Sequence, residues 1–169
     1  AGCSTFIVHA RKAWLKGMSP KQNREIPPLQ YEKVYRLKYD FPQLEIIVNG
    51  GICTLTEVEH HLVYTDGVMV GREAYHNPII LSSVDRQLFG SVLPQRTRFQ
   101  VLDCYKQYIA RELDRGTPLR HMTRHLLGLF QGEPGARAWR RHLSCYAPLR
   151  DAGLEIVVEA EALVRRLAA

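Results

Sequence analysis

The chain has 169 residues, a formal net charge of +6 and a hydrophobic fraction of 46%, a composition too apolar for a disordered chain. No apolar run approaches the roughly 18 residues of a membrane span and no amino-terminal segment resembles a signal peptide, so a cytoplasmic protein without a membrane partner is expected. Four cysteines without CxxC spacing suggest neither a zinc knuckle nor a disulfide framework, and we expect them to be reduced and mostly packing residues. They are Cys3, Cys53, Cys104 and Cys145.

The positive charge is concentrated in the second half of the chain. Residues 1–90 carry a net charge of +1, whereas residues 91–169 carry +5. This asymmetry predicts a polyanionic partner such as a nucleic acid. Arginines on an ordinary solvated surface would give the same pattern, so charge alone leaves both interpretations open.

The first elements alternate between strand and helix. The run TFIVHA at residues 5–10 predicts a fully buried strand of a parallel sheet. A long polar, basic loop follows as far as Pro28, after which apolar spacing predicts a helix that ends near Phe41. The run EIIVN at residues 45–49 predicts a second strand.

The next elements continue this alternation. Thr54 and Glu57 have the spacing of a capping box, which predicts a helix over about residues 55–63. The run GVMVG at residues 67–71 predicts a third strand, and a helix over about residues 78–89 follows. Strands alternating with helices predict parallel strands joined by right-handed crossovers.

Three strand–helix units are too few for a closed barrel. A TIM barrel needs about 250 residues, so the chain is either an open three-stranded sheet or the last three units of a barrel. The second alternative is favoured because residue 1 is Ala rather than Met and a strand follows almost at once.

The remaining residues contain no strand-like run. Apolar spacing predicts helices over about residues 101–113, 119–130, 135–146 and 154–167. The predicted fold is therefore α/β plus all-α: the last three βα units of a TIM barrel in residues 1–92, followed by a small helical bundle in residues 93–169.

Glycines follow two neighbouring strands. Asn49, Gly50 and Gly51 end the second strand, and Gly71 and Arg72 end the third. Bare main-chain N–H groups beside a guanidinium suit a phosphate group, and the start of the following helix adds a positive dipole end. The sequence therefore predicts one phosphate site shared by both loops, although glycines can also end strands for steric reasons alone.

Three histidines were considered as functional groups. His9 ends the first strand, at the active-site end of such a barrel, and could donate to a ligand carbonyl or ring nitrogen, or could be structural. His121 and His125 have the spacing of a metal pair, but no third ligand is evident. We interpret them as surface residues of a helix and predict no metal site.

Basic residues surround each of the two tryptophans. Lys21 and Arg24 belong to the basic loop around Trp14, and Arg137 and Arg140 flank Trp139. Such residues can hold nucleic-acid phosphates without reading bases. Alternatively, Trp139 belongs to the core of the bundle and the arginines face water.

Four stretches together resemble the tRNA-dihydrouridine synthases, specifically the bacterial A subfamily. They are FIVHARKAWLKGMSPKQNREIPPL, VNGGI, DGVMVGREAYHNP and TRHLLGLFQGEPGARAWRRHL. The resemblance runs over nearly the whole chain. It implies a TIM barrel followed by a helical tRNA-binding domain, and an enzyme that is monomeric when intact. It further implies reduction of a D-loop uridine of tRNA, at positions 20/20a in this subfamily, with FMN that is recharged by NADPH.

The resemblance also implies roles for individual residues. His9 matches a histidine at the FMN ring system, and the flavin phosphate and tRNA each have a set of matching positions. The phosphate set is Asn49, Gly50, Gly51, Gly71 and Arg72, and the tRNA set is Lys21, Arg24, Arg137 and Arg140.

One family residue has no counterpart here. The general acid of the family is a cysteine on an earlier barrel loop, and none of the four cysteines lies in that context. We therefore expect the chain to be a carboxy-terminal portion that is inactive alone. The remaining alternatives are another phosphate-binding barrel, either a flavin or a sugar-phosphate enzyme, and a non-catalytic RNA-binding module.

Overall fold

The computed structural model describes residues 2–14 and 16–168, which form two compact units. Unit 1 comprises Ala1–Glu73 and unit 2 comprises Ala74–Ala169. Unit 1 contains the sheet, whereas the elements of unit 2 are helical.

Unit 1 alternates strands and helices as predicted. Its elements in chain order are β1 (Thr5–His9), α1 (Pro20–Glu25), α2 (Tyr31–Asp40), β2 (Glu45–Asn49), α3 (Leu55–Leu62) and β3 (Gly67–Met69), and α4 (Arg72–His76) follows. The strands form one parallel sheet in the order β1-β2-β3. The parallel arrangement confirms the prediction from the alternating pattern.

β1 is less buried than predicted. Phe6 and Ile7 are 40% and 58% exposed, whereas Ile46 and Val48 of β2 are fully buried. The prediction of a fully buried first strand is wrong for this chain because, among the described strands, β1 pairs with β2 only and forms the edge of the sheet. Its apolar sequence is the type found where helices or strands cover both faces.

α1 lies inside the segment predicted to be a loop. Ser19 accepts a hydrogen bond from Gln22 N, and the Gln22 side chain accepts one from Ser19 N, so the two residues form a capping box. Pro20 occupies the first turn, where its fixed φ favours a helix. The Ser-Pro-x-Gln pattern therefore predicts the start of a helix at this position.

Unit 2 is built from helices. After a 3-10 helix at Pro78–Ser83 come α5 (Val84–Phe89), α6 (Arg98–Asp114), α7 (Leu119–Thr123), α8 (Ala136–Tyr146) and α9 (Glu155–Ala168). Its core is a cluster of buried apolar residues that lie between positions 102 and 164 of the chain. Trp139, Phe130 and Leu102 of this cluster are fully buried. The Trp139 ring meets Phe130 edge-on at 4.9 Å and its Nε1 donates to Leu126 O.

The helix predicted over residues 119–130 is shorter than expected. α7 ends at Thr123, and residues 124–132 form successive turns. Gly128 lies within these turns, and a Cβ there would come 2.0 Å from His76 O. His125 therefore follows α7 and does not lie on it, so the interpretation of His121 and His125 as one helix surface is wrong, although both are exposed.

The four cysteines are free but exposed. The prediction that they are mostly packing residues is wrong. Among residues 2–14 and 16–168, no cluster of three or more His, Cys, Asp or Glu side chains could hold a metal ion. No helix in the same part of the chain is long and apolar enough to cross a membrane.

Candidate functional site

The carboxyl ends of the three strands coincide at one edge of the sheet. His9 pairs in register with Asn49, and Asn49 pairs with Met69. Asn49 Nδ2 also donates to Met69 O at 2.9 Å, which links the ends of β2 and β3 by a side chain. The residues predicted to bind a ligand therefore lie at or directly after strand ends on the same edge of the sheet.

The turn after β2 requires its two glycines. Gly50 has φ 119° and Gly51 has φ 73°, values that side chains with a Cβ rarely adopt. A Cβ on Gly50 would also come within 3.0 Å of His9 Cε1, and one on Gly51 within 2.6 Å of Leu29 Cδ1. The glycines thus place main chain where a larger residue would not fit.

Gly71 has a different explanation. Its φ is not positive, and a Cβ built there would meet no described atom within 4 Å. Neither backbone conformation nor packing within the described residues accounts for glycine at this position. The open space lies beside Arg72, which is the arrangement that a closely approaching anionic ligand needs.

The Arg72 guanidinium is half-exposed, and its contacts within residues 2–14 and 16–168 are long. Its Nη2 donates to Arg24 O at 3.4 Å, and its Nη1 lies 3.8 Å from Glu25 Oε1. An exposed pair at this distance contributes little stability. The positive charge of Arg72 therefore remains available to an anion at the sheet edge.

The electrostatic effects of Arg72 reach both neighbouring strand ends. Partial desolvation first, and then the charges of Arg11 and Arg72, lower the pKa of His9. Burial, Glu73 and Glu57 raise the pKa of the Cys53 thiol, and Arg72 acts in the opposite direction. Arg72 thus lies close enough to His9 and to the turn after β2 to influence both.

His9 is held as a neutral hydrogen-bond donor. Its Nδ1 accepts from Arg11 N at 3.1 Å, and the lowered pKa disfavours a second proton on the ring. The remaining proton therefore lies on Nε2. Nε2–H can donate to a carbonyl oxygen or ring nitrogen of a ligand.

The start of α3 is capped by a carboxylate of the protein itself. Cys53 N and Thr54 N both donate to Glu57 Oε2, and Glu57 N donates to Thr54 Oγ1. These hydrogen bonds lower the pKa of Glu57, so its carboxylate is charged. The Glu57 carboxylate opposes a second anion at the start of α3, and the assignment of this helix end to a phosphate stays a prediction.

The basic segment of unit 1 presents two cations on one helix face. Lys21 and Arg24 are three residues apart on α1 and both are exposed. Arg11 holds the base of this segment: its guanidinium donates to Pro27 O, and its backbone bridges to Leu29. The cations are therefore carried on an ordered element.

In unit 2, α8 separates an apolar from a basic face. Trp139 is fully buried, whereas Arg137 is exposed and Arg140 is partly exposed. Arg140 Nη1 donates to Gln131 Oε1, a neutral partner that leaves its charge uncompensated. Trp139 therefore belongs to the core, as the second interpretation of this tryptophan predicted. The arginines remain candidates for anion contacts.

Sequence reasoning missed Tyr31 and Glu25. The Tyr31 hydroxyl donates to Gly50 O at 2.6 Å, and Glu25 lies near Arg72. Neither residue carries a local sequence signal, because both contacts join residues far apart in the chain.

The fold and the edge geometry define a parallel α/β protein in which the predicted phosphate residues lie at one edge of the sheet. Residues 1–166 match the family model described as Dihydrouridine synthase (Dus). The chain therefore belongs to the dihydrouridine synthase family. This result confirms the family that the sequence stretches suggested.

Three relatives, each named tRNA-dihydrouridine(20/20a) synthase, are similar to 96% of the chain. The Vibrio cholerae protein is 57% identical over 163 residues. The Yersinia pestis and Escherichia coli K12 proteins are each 56% identical over 162 residues. These matches cover 50%, 47% and 47% of the relatives' own lengths, so the chain spans about half the length of the curated relatives it matches.

Proposed function

We propose that this chain is the carboxy-terminal half of a tRNA-dihydrouridine synthase. In this proposal residues 1–92 are the last three βα units of a TIM barrel, and residues 93–169 are a helical bundle that binds tRNA. The enzyme reduces uridine at tRNA positions 20/20a to 5,6-dihydrouridine, with FMN as cofactor and NADPH as reductant. The supporting observation is that His9, the Gly50–Gly51 turn and Arg72 share one sheet edge in a member of this family.

The residues at the sheet edge fit FMN. The open space at Gly71 and the positive charge of Arg72 suit its phosphate, with the main chain of Gly50 and Gly51 on the adjacent strand end. His9 Nε2–H suits an acceptor atom of the ring system. Asn49 contributes by holding two strand ends together, since its amide donates to Met69 O.

In the proposed reaction, the residues of this chain bind and orient the flavin. FMN, when bound, supplies a hydride to one carbon of the uracil double bond. His9 donates a hydrogen bond to the ring system, and its neutral state at pH 7 keeps Nδ1 bonded to Arg11 N. The proton for the other carbon comes from the family cysteine, which the proposal assigns to the half of the enzyme outside this chain.

The basic residues hold the RNA in this proposal. Lys21 and Arg24 on α1, and Arg137 and Arg140 on α8, contact backbone phosphates. The target uridine must leave its base stack to reach the cofactor, and contacts to the surrounding backbone hold the tRNA while it does so. Family membership favours this function over another phosphate-binding barrel or an RNA-binding module.

The experiment compares FMN with riboflavin, which lacks the phosphate. In the full-length enzyme that contains this chain, Arg72→Ala should weaken FMN binding about tenfold, because a charge-assisted hydrogen bond contributes about 1.5–3 kcal/mol and Arg72 is partly exposed. Riboflavin affinity should change less than about twofold. Quenching of flavin fluorescence measures both dissociation constants.

Arg36→Ala is the matched control. Arg36 is also an exposed arginine of unit 1, but it pairs with Asp40 on α2 and does not lie at the strand ends. It should leave both flavin affinities unchanged. Equal loss of FMN and riboflavin in Arg72→Ala, or no loss of either, would contradict the phosphate role of Arg72.

A further inference from the structure

A single hydrogen bond joins the first residue of α2 to the glycine turn. The Tyr31 hydroxyl donates to Gly50 O at 2.6 Å. Tyr31 is separated from Gly50 by the rest of α2 and by β2, so this contact is a tertiary one. Neither the binding of the phosphate nor that of the ring system, as described above, uses it.

The bond fixes the orientation of one peptide group. The Gly50 carbonyl and the Gly51 N–H belong to the same planar peptide and point in opposite directions. When Gly50 O faces Tyr31, Gly51 N–H faces away from Tyr31. Two successive glycines allow many orientations of this peptide, so an external contact is needed to select one.

The neighbouring peptide is fixed in a comparable way. Ala10 N donates to Asn49 O at 2.8 Å, so Asn49 O faces the β1 side of the sheet edge. Gly50 N–H, on the other end of that peptide, faces away from β1. The main-chain hydrogen bonds among the described residues include none donated by Gly50 or Gly51 N–H outside the regular elements.

The Tyr31 ring is itself held in place. Its centroid lies 4.3 Å from that of His61, a buried residue whose Nδ1 bonds the Tyr35 hydroxyl at 2.6 Å. The Tyr31 oxygen lies 3.3 Å from the position that a Cβ on Gly51 would take. The phenol therefore packs against the turn from a supported position.

We propose that Tyr31 is a positioning residue for the phosphate of the flavin: its hydroxyl holds the Gly50–Gly51 peptide so that Gly51 N–H faces the anion. This inference rests on the proposed function. Tyr31 acts through the peptide and does not touch the flavin. Burial and the Glu57 carboxylate raise the pKa of Tyr31, so the phenol keeps its proton and remains a donor at neutral pH.

The test is Tyr31→Phe in the full-length enzyme, with FMN and riboflavin as probes. The variant keeps the ring that contacts His61 and removes only the hydroxyl. FMN affinity should fall about five- to tenfold, the equivalent of one lost hydrogen bond. Riboflavin affinity should change less than about twofold, because riboflavin has no phosphate. A purely structural role would weaken both flavins equally.

Tyr35→Phe is the matched control. It removes the neighbouring phenol, which bonds His61 and not the turn, and should leave the ratio of FMN to riboflavin affinity unchanged. An unchanged ratio in Tyr31→Phe would overturn the inference. If Arg72→Ala lowers the ratio and Tyr31→Phe does not, only the role of Tyr31 is wrong. If neither lowers it, the phosphate site itself is wrong.

Discussion

The two units differ in where their buried apolar residues lie. In unit 2, fourteen buried residues form one cluster that includes Trp139 and Phe130. In unit 1, β2 is buried but Phe6 and Ile7 of β1 are exposed. Helices that are close in sequence can cover each other's apolar faces, whereas an edge strand of a parallel sheet needs further elements to cover it. The core cluster of unit 2 is therefore formed by described residues of that unit, whereas β1 leaves Phe6 and Ile7 exposed at the edge of the sheet.

The proposed roles are divided along the same line. Unit 1 contains the proposed flavin residues, and they lie at the strand ends or directly after them. Unit 2 contains Arg137 and Arg140 on a helix whose opposite face is anchored by Trp139. A ligand site at the edge of a sheet and a cationic face on a packed helix call for different experiments.

The largest expected effect is on the free energy of unfolding, and it differs between the two tryptophans. Trp139→Ala should lower the free energy of unfolding by about 3–5 kcal/mol, because it empties a buried site and leaves Leu126 O without its donor. Trp14→Ala should cost less than about 1 kcal/mol, because Trp14 is 46% exposed. Urea denaturation of the full-length enzyme measures both. Equal losses would remove the contrast between the units.

The second prediction assigns RNA binding to α8. Arg137→Ala combined with Arg140→Ala should weaken tRNA binding, and the plot of log affinity against log salt should become shallower by roughly 1.5 because two phosphate contacts are lost. FMN affinity should stay the same. Filter binding over a range of salt concentrations measures both the affinity and the slope.

The control for that variant removes two other exposed arginines of unit 2. Arg111→Ala combined with Arg166→Ala changes the net charge equally, on α6 and α9. If the control reduces the salt slope as much as the α8 variant does, the effect reflects overall charge and not a contact by α8.

The third and smallest prediction concerns pH and unit 1. Burial, and then the charge of His60, lower the pKa of the buried His61, and the pKa of His9 is lowered as well. The folded state therefore binds fewer protons than the unfolded state below about pH 6.5. The contribution of these two histidines to the free energy of unfolding should be fully present above that pH. It should be lost as the pH decreases through their lowered pKa values.

His61→Gln tests this origin. Glutamine can still accept from the Tyr35 hydroxyl but does not titrate. Amide hydrogen exchange in unit 1 should then depend less steeply on pH between about 7 and 5.5. An unchanged steepness would show that His61 does not contribute, and a loss of stability confined to unit 2 would contradict the assignment to unit 1.

Local patterns predicted most of the elements. The three strands, the Thr54–Glu57 capping box and the long helices follow from short-range spacing, and the structure confirms them. The carboxyl-edge arrangement also followed, because parallel strands end at the same edge. α1 could have been predicted from Ser19 and Gln22, which have the same capping spacing.

Tertiary contacts could not be predicted from such patterns. The Glu57 carboxylate fits the capping rule, but its effect on the neighbouring anion site depends on where the turn after β2 lies. The bond from Tyr31 to Gly50 joins residues distant in sequence, and the exposure of β1 follows from its edge position among the described strands. The roles of the predicted flavin and tRNA residues remain predictions.

The contacts of Arg72 have a consequence for any attempt to alter the proposed RNA contacts of α1. Its guanidinium donates to the main-chain carbonyl of Arg24 and approaches Glu25. Arg72, the first residue of α4, therefore contacts the last turn of α1. If Arg72 holds the flavin phosphate as proposed, variants randomised over α1 should also change flavin affinity. Libraries that keep Glu25 and vary only Lys21 and its outward-facing neighbours should separate the two traits.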